Sequence, residues 1–206
     1  TELADGLKED IGNTLFVGQP LDANYDYKLV GIWQTKDSTE AKSFGQKLGT
    51  VRVADLNHAG KINADDDRKV LGSTQPKWTM GIVNKFHYKQ WDLSFMIYTK
   101  QGVQYKNAML SGTMGQIGHS RYNALVLNTW TPTNPTNDWY QLNNPGPYES
   151  AIFYQDASYW RISDITLGYQ LPSPVLSRLK ISNLRVYAQI SNPFVFTNFL
   201  SFDPEY

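Results

Sequence analysis

The dominant period along the chain is two. From Trp78 the even positions read Trp78, Met80, Ile82, Asn84, Phe86 and Tyr88, and the odd ones Lys77, Thr79, Gly81, Val83, Lys85 and His87. One face is mostly apolar and the other mostly polar, the pattern of a half-buried strand. After Lys89-Gln90 the alternation resumes, with Trp91, Leu93, Phe95 and Ile97 on one face and Asp92, Ser94, Met96 and Tyr98 on the other. Two strands of about ten residues joined by a very short turn predict an antiparallel hairpin. A second such region spans Tyr159 to Tyr169, with Ile165, Leu167 and Tyr169 on one face, and is stopped by Leu171-Pro172-Ser173-Pro174 because proline cannot continue a ladder. Leu184, Val186, Ala188 and Ile190, alternating with Arg185, Tyr187, Gln189 and Ser191, predict a further strand.

Strands of this length exceed the usual globular mode of about five or six residues and match the ~9–11 needed to cross a bilayer at a tilt. Aromatic residues sit at the ends of the apolar face: Trp78 at one end, and Phe86, Tyr88 and Trp91 around the turn. That placement suits the girdles of an outer-membrane barrel. A long hairpin in a soluble β-sandwich alternates in the same way, so the hairpin alone leaves both readings open.

Helix signals are few. Asp37-Ser38-Thr39-Glu40 offers a cap and an acidic first turn, Ala41, Phe44 and Leu48 a weak stripe, and Gly49 a stop. They predict one short helix. Between Lys100 and Ser158 the composition shifts to Gly, Met, Ser, Asn and Pro. A connection of that length is unusual inside a compact domain but expected on the long-loop side of a barrel. No solenoid repeat and no linker divides the chain.

Composition adjusts this picture. Among 206 residues, 19 Lys+Arg balance 19 Asp+Glu, which argues against nucleic acid as a partner. Only 18% of residues are charged while 14% are aromatic, so the chain is a β-rich extracellular module or lives at a membrane interface. Cysteine is absent, excluding disulfides, thiolate metal sites and a cysteine nucleophile. No apolar run reaches the ~20 residues of a membrane helix. The start, Thr1-Glu2-Leu3, carries no Met and no signal-peptide pattern, as expected of a piece of something longer or a processed product.

The sharpest local motif is Asp55 to Asp66, which follows calcium-loop spacing. Asp55, Asn57 and Asn63 stand at positions 1, 3 and 9, Gly60 at 6, the Lys61 carbonyl at 7 and Asp66 at 12. Ala59 replaces the usual acid or amide at position 5, and Asp66 is shorter than the usual Glu. The motif is read either as a calcium site weakened by one ligand or as a metal-free, Asx-rich turn. Chemistry is otherwise thin. His58, His87 and His119 are scattered, no Gly-x-Ser-x-Gly or phosphate loop is present, and Arg161 and Asp164 read as a lumen-facing charge or a structural ion pair. No enzyme is expected.

Several separated motifs then converge. They are Gly31-Ile32-Trp33-Gln34-Thr35, Asp55 through Arg68, Leu71-Gly72 with Pro76, Gly81, Tyr88 to Ser94, Asn123, Trp130-Thr131-Pro132 and Asn134-Pro135. Asp156 to Tyr169 with Leu171-Pro172 is the longest; Ile181 to Tyr187, Asn192 and Asp203-Pro204-Glu205 complete the series. In order, they resemble the C-terminal part of SusC/RagA-type TonB-dependent outer-membrane transporters of the Bacteroidetes, from about Tyr25 onward. The resemblance implies an all-β fold: antiparallel strands of a large outer-membrane β-barrel, partial in this chain, with long extracellular loops and one short helix. It implies import of glycans or peptides, a SusD-like lipoprotein lid, and TonB engaged through an N-terminal part not in this chain. Tyr105, Trp130, Trp139, Tyr140 and Tyr148 would then lie in extracellular loop, either stacking on sugar or peptide or packing the loop itself.

The chain departs from the family where Leu48 precedes Gly49 instead of Pro and where Ala59 weakens the calcium loop. It also stops at Tyr206, where the family runs on through further strands. Since 206 residues cannot close a barrel of about 22 strands, residues 1–206 are expected to be a fragment of the barrel or one part of a split protein. The alternative from another class is a secreted β-sandwich with a calcium loop that binds polysaccharide; a glycan hydrolase is a minor third.

Overall fold

A computed structural model describes residue 3 and residues 6–114, 127–201 and 203–205. His119 and Asn123 lie outside the described residues. Contacts divide the chain into two interleaved units, residues 1–75 with 104–156, and residues 76–103 with 157–206. No linker marks the division in the sequence because the chain passes from one unit to the other three times.

The second unit is one antiparallel sheet. β7 (Trp78–Tyr88) pairs along its length with β8 (Trp91–Gln101), and β8 pairs with β11 (Tyr159–Gln170). Beyond β11, β12 (Arg185–Ile190) pairs with its second half and β13 (Phe194–Thr197) with its first half. β12 and β13 thus act as one strand interrupted at Ser191-Asn192-Pro193. The turn between β7 and β8 is two residues, Lys89-Gln90, with Lys89 at φ +55°, the positive φ a tight hairpin requires. The connection from β11 to β12 carries α3 (Ser173–Leu179), which starts on Pro172-Ser173-Pro174 and stops where Lys180 turns left-handed.

Register decides which residues share a face. Met80, Ile82 and Phe86 oppose Thr99, Ile97 and Leu93. Ile97 and Leu93 in turn oppose Ile162 and Leu167, and Leu167 opposes Ala188. On β11 the apolar set switches from even positions, Trp160 and Ile162, to odd ones, Ile165, Leu167 and Tyr169. A one-residue bulge between Ser163 and Thr166, with Asp164 at φ +52°, absorbs the change. Such a bulge re-aims side chains, and here it returns both halves of the strand to one face. Ser191 Oγ, from the interruption opposite, donates to Asp164 Oδ1 at 3.1 Å.

The first unit holds the hydrophobic core. Ile32 from β4 (Leu29–Ile32) and Val51 and Val53 from β5 (Val51–Val53) meet Leu110, Trp130, Trp139, Tyr140, Ala151, Ile152 and Phe153. The stretch expected as a long loop therefore supplies most of a packed core. It contains β9 (Gln104–Lys106), α2 (Ala108–Met114), a 3-10 turn at Glu149–Phe153 and β10 (Tyr154–Asp156), with β9 and β10 paired. A small hairpin of β1 (Glu9–Asp10) and β2 (Leu15–Phe16) and the pair β3 (Ala23–Tyr27) with β6 (Arg68–Ser73) complete the unit.

The predicted helix is present as α1 (Ser38–Ser43), preceded by a 3-10 turn at Thr35–Asp37. It ends earlier than expected. Gly45, at φ +66°, follows the last turn, and Gln46 N–H closes on Ala41 O at 2.8 Å, the left-handed exit that glycine favours. Gly49 has another task, described below. α2 and α3 are two short helices that the periodicity did not predict.

Candidate functional site

The largest chemical feature is the apolar face of the sheet. Trp78, Met80, Ile82, Phe86, Tyr88, Trp91, Trp160, Leu167, Val186, Ile190, Phe194 and Phe196 are all exposed. Ile82 keeps 43% of its surface, Phe86 56% and Ile190 59%. Among the described residues of this unit none forms a second layer over them, the packing a β-sandwich requires. Rings mark both ends: Trp78 lies edge-on to Trp160 at 6.5 Å, and at the turn end Trp91 lies 4.6 Å from Tyr169. Between them the residues are mostly aliphatic. Eleven residues at about 3.3 Å each and a tilt of about 40° climb about 28 Å, enough to cross a barrel's apolar band of about 25 Å.

The opposite face is polar and ion-paired. Arg185 Nε and Nη2 donate to Asp92 Oδ1 and Oδ2 at 2.9 and 2.6 Å, a bidentate clasp reaching over the intervening β11. Gly168, in register with Asp92, makes this possible, since a Cβ there would run into both partners. At the other end Arg161 Nη2 donates to both Asp203 oxygens, at 2.8 and 3.0 Å. It also lies 3.1 Å from Glu205 Oε2. Glu205 Oε1 accepts from Lys100 Nζ at 3.0 Å and from the Tyr159 hydroxyl. The hydrogen bond from Tyr159, then Lys100 and Arg161, hold the Glu205 carboxyl below the ordinary carboxylate range despite its partial burial. Arg161 is therefore ion-paired as expected, but with the chain after β13 and not with Asp164, which sits in the bulge.

The loop Asp55–Asp66 is drawn tight by its own backbone. Asp55 Oδ2 accepts from Gly60 N–H at 2.8 Å, Asn57 Oδ1 from Ala59 N–H at 3.0 Å, and Asn63 Oδ1 from the N–H groups of Asp65 and Asp66 at 2.9 Å. Asp66 Oδ2 accepts from the Asn63 amide. The residue that ties the loop together is Asp67, one place beyond the motif. It is fully buried and accepts from Leu56 N–H at 2.7 Å and Asn63 N–H at 2.8 Å. Among the described residues no group of three His, Cys, Asp or Glu converges on one point. The donor set is hard oxygen, as calcium requires, but thin: Ala59 offers no side-chain oxygen and the carboxylates do not converge.

The aromatic candidates separate. Trp130, Trp139 and Tyr140 keep only 3 to 4% of their surface. They pack the core, the second of the two alternatives left open for them, and present no stacking surface. Trp130 lies against Gly49, which at φ +78° presents backbone where a side chain would meet the ring. Trp130 Nε1 donates to Gln34 Oε1 at 2.9 Å, and Gln34 Nε2 donates to Ile32 O and Thr136 O, each at 2.9 Å. Ile32 N–H donates to Asn137 Oδ1 at 3.0 Å. Two motifs about a hundred residues apart thus form one hydrogen-bonded joint, a pairing that periodicity had no means of showing. The Tyr140 hydroxyl donates to Glu149 at 2.6 Å, and burial together with that carboxylate raises its pKa. Tyr148 packs edge-on to Tyr27 at 4.9 Å; it and Tyr105 stay half-buried. Nearby, burial and Asp26 push Tyr154 up to about 12.

No protein-family model matches the chain. It is 29% identical to TonB-dependent receptor P3 of Formosa agariphila over 91% of its own length and 19% of the relative's. With TonB-dependent receptor SusC of Bacteroides thetaiotaomicron it shares 28% identity, over 73% of this chain and 15% of SusC. Its fold matches solved structures of the RagAB peptide importer. In the open-open state the TM-score is 0.69 at 21% identity, over 100% of this chain and 22% of that one. The chain spans about a fifth of the length of the first two receptors it matches across most of its own length. In sequence the chain is therefore similar to a segment of TonB-dependent receptors, SusC among them, and its fold is that of part of the RagAB importer.

Proposed function

We propose that the chain forms part of the outer-membrane wall and loops of a TonB-dependent importer of glycans or peptides, working with a SusD-like lipoprotein and with TonB. The observation that carries this reading is the uncovered apolar face, ring-bounded at both ends and set by register across four strands. The relatives are receptors, and RagAB is named as a peptide importer. The segment takes part in binding and passage and performs no catalysis. A surface of this kind gains by burial in hydrocarbon. The purified chain is expected to need detergent or lipid to stay dispersed. A chain that remained monomeric and folded in plain buffer, with Trp78 and Trp160 shielded, would overturn the reading.

The same proposal includes a weak calcium site, held by Asp55, Asn57, Asn63, Asp66 and the Lys61 carbonyl. The ion would cross-link a loop whose backbone is already tied by Asp67. Millimolar calcium is expected to raise the melting temperature modestly, and Asp55→Ala to abolish the rise. No rise at any millimolar concentration would remove calcium from the account. Of the aromatic candidates, Tyr105 and Tyr148 retain surface for a substrate or the lipoprotein.

A further inference from the structure

The first unit contains an open cleft of about 540 Å³ between the β1–β2 hairpin and the β3–β6 pair, within the usual size range of small-molecule sites. Its apolar side includes Phe16 and Tyr25, whose rings lie 4.8 Å apart and 33° from parallel. Three cations, Lys8, Arg68 and Lys69, line it with Glu9 and Asp65. Arg68 is pre-positioned: its guanidinium carbon sits 5.2 Å from the Tyr25 ring centre, and its Nε donates to Ala64 O at 2.7 Å. The terminal guanidinium nitrogens of Arg68 have no partner among the described residues. Neither Lys8 nor Lys69 has a carboxylate within 4 Å among them.

The geometry points to a binding site for a carboxylate-bearing saccharide. A pyranose ring offers a flat C–H face to an aromatic floor, and a uronate carboxylate matches the planar fork of a guanidinium, which binds it bidentately. Glu9 and Asp65 are acceptors, and ring hydroxyls supply their donors. A neutral sugar leaves the cations unmatched, whereas an acidic peptide meets the cations but lacks the ring hydroxyls that donate to the two carboxylates and the flat C–H face for the rings. This binding claim stands by itself; only its role as a substrate subsite rests on the importer reading.

Calorimetric titration of the full chain in detergent tests it, with trigalacturonate, maltotriose and triglutamate as probes. Trigalacturonate is expected to bind saturably and at least about tenfold more tightly than either of the others, about 1.4 kcal/mol. Arg68→Ala and Tyr25→Ala should each weaken it by about tenfold or more. Lys8→Ala, at an exposed position with no packing to lose, should weaken it severalfold with an unchanged circular dichroism spectrum. Equal binding of maltotriose, tighter binding of triglutamate, or affinity unchanged in both Lys8→Ala and Arg68→Ala would overturn the site. So would absence of saturable trigalacturonate binding, a result that leaves the apolar-face test of the importer reading intact.

Discussion

Asp67 and Asp66 are neighbours with unequal duties. Asp67 is buried and accepts two backbone N–H groups from opposite sides of the loop, while Asp66 is exposed and holds one side-chain amide. Removing a buried acceptor strands its donors at about 1–3 kcal/mol. Asp67→Ala should therefore lower stability by about that much, and Asp66→Ala by well under 1 kcal/mol, about the usual surface effect. Denaturant melts of the two variants check this, and equal effects would contradict it. Gly49→Ala should cost more than about 1 kcal/mol, because the substitution combines a left-handed backbone with overlap on the Trp130 ring. The motif spacing pointed to this loop but not to Asp67, since the template ends at its twelfth position and says nothing of burial.

At the scale of the element, each strand of the sheet has two sides with different tolerance. Ile82 lies midway along the apolar side of β7, and Lys85 is on the other. Ile82→Arg should destabilise the membrane-inserted form by about 2–4 kcal/mol, the cost of a cation at the bilayer midplane, while Lys85→Arg should cost little. Refolding into lipid vesicles measures the difference. The Asp203-Pro204-Glu205 turn is clipped to β11 by Arg161, Lys100 and Tyr159. Because Glu205 is held below its unfolded carboxyl pKa, the stability it adds is present above that unfolded value and is lost as pH falls through the lowered folded one. Amide protection near residues 203–205, measured relative to the intrinsic exchange rate at each pH, should fall at acid pH in the parent chain and be low at every pH in Glu205→Gln. A Glu205→Gln profile identical to the parent's would contradict the clip. Strands were legible because one face of the sheet is apolar and the other polar, so the sequence alternates. The bulge at Asp164 was hidden, since the switch of the apolar set from Ile162 to Ile165 reads as noise without the partner strand.

Across the whole molecule the sheet and the packed unit were not equally readable. The four apolar faces could be listed from periodicity, but of their pairings only the β7–β8 hairpin was predicted, and the order across β8, β11 and β12 needed the structure. The core around Trp130, Trp139 and Tyr140 could not, because its segments carry turn-rich composition and no period. For their aromatic residues the sequence left stacking on a substrate and packing of the loop both open, and Trp130, Trp139 and Tyr140 are found in the core. The proposed functions follow the same division: the wall is read from pattern, whereas the proposed recognition rests on a cleft, the one beside Arg68, that no pattern marks.

The natural absence of cysteine makes the central claim directly testable. Single cysteines at Ile82, Leu167 and Val186 on one face, and at Lys85, Thr166 and Gln189 on the other, can each carry a nitroxide in lipid vesicles. Relaxation by oxygen, which concentrates in hydrocarbon, should dominate at the first three positions. Relaxation by a water-soluble nickel chelate should dominate at the other three. Preferential relaxation by the chelate at all six, or no alternation between the faces, would contradict a membrane-facing wall.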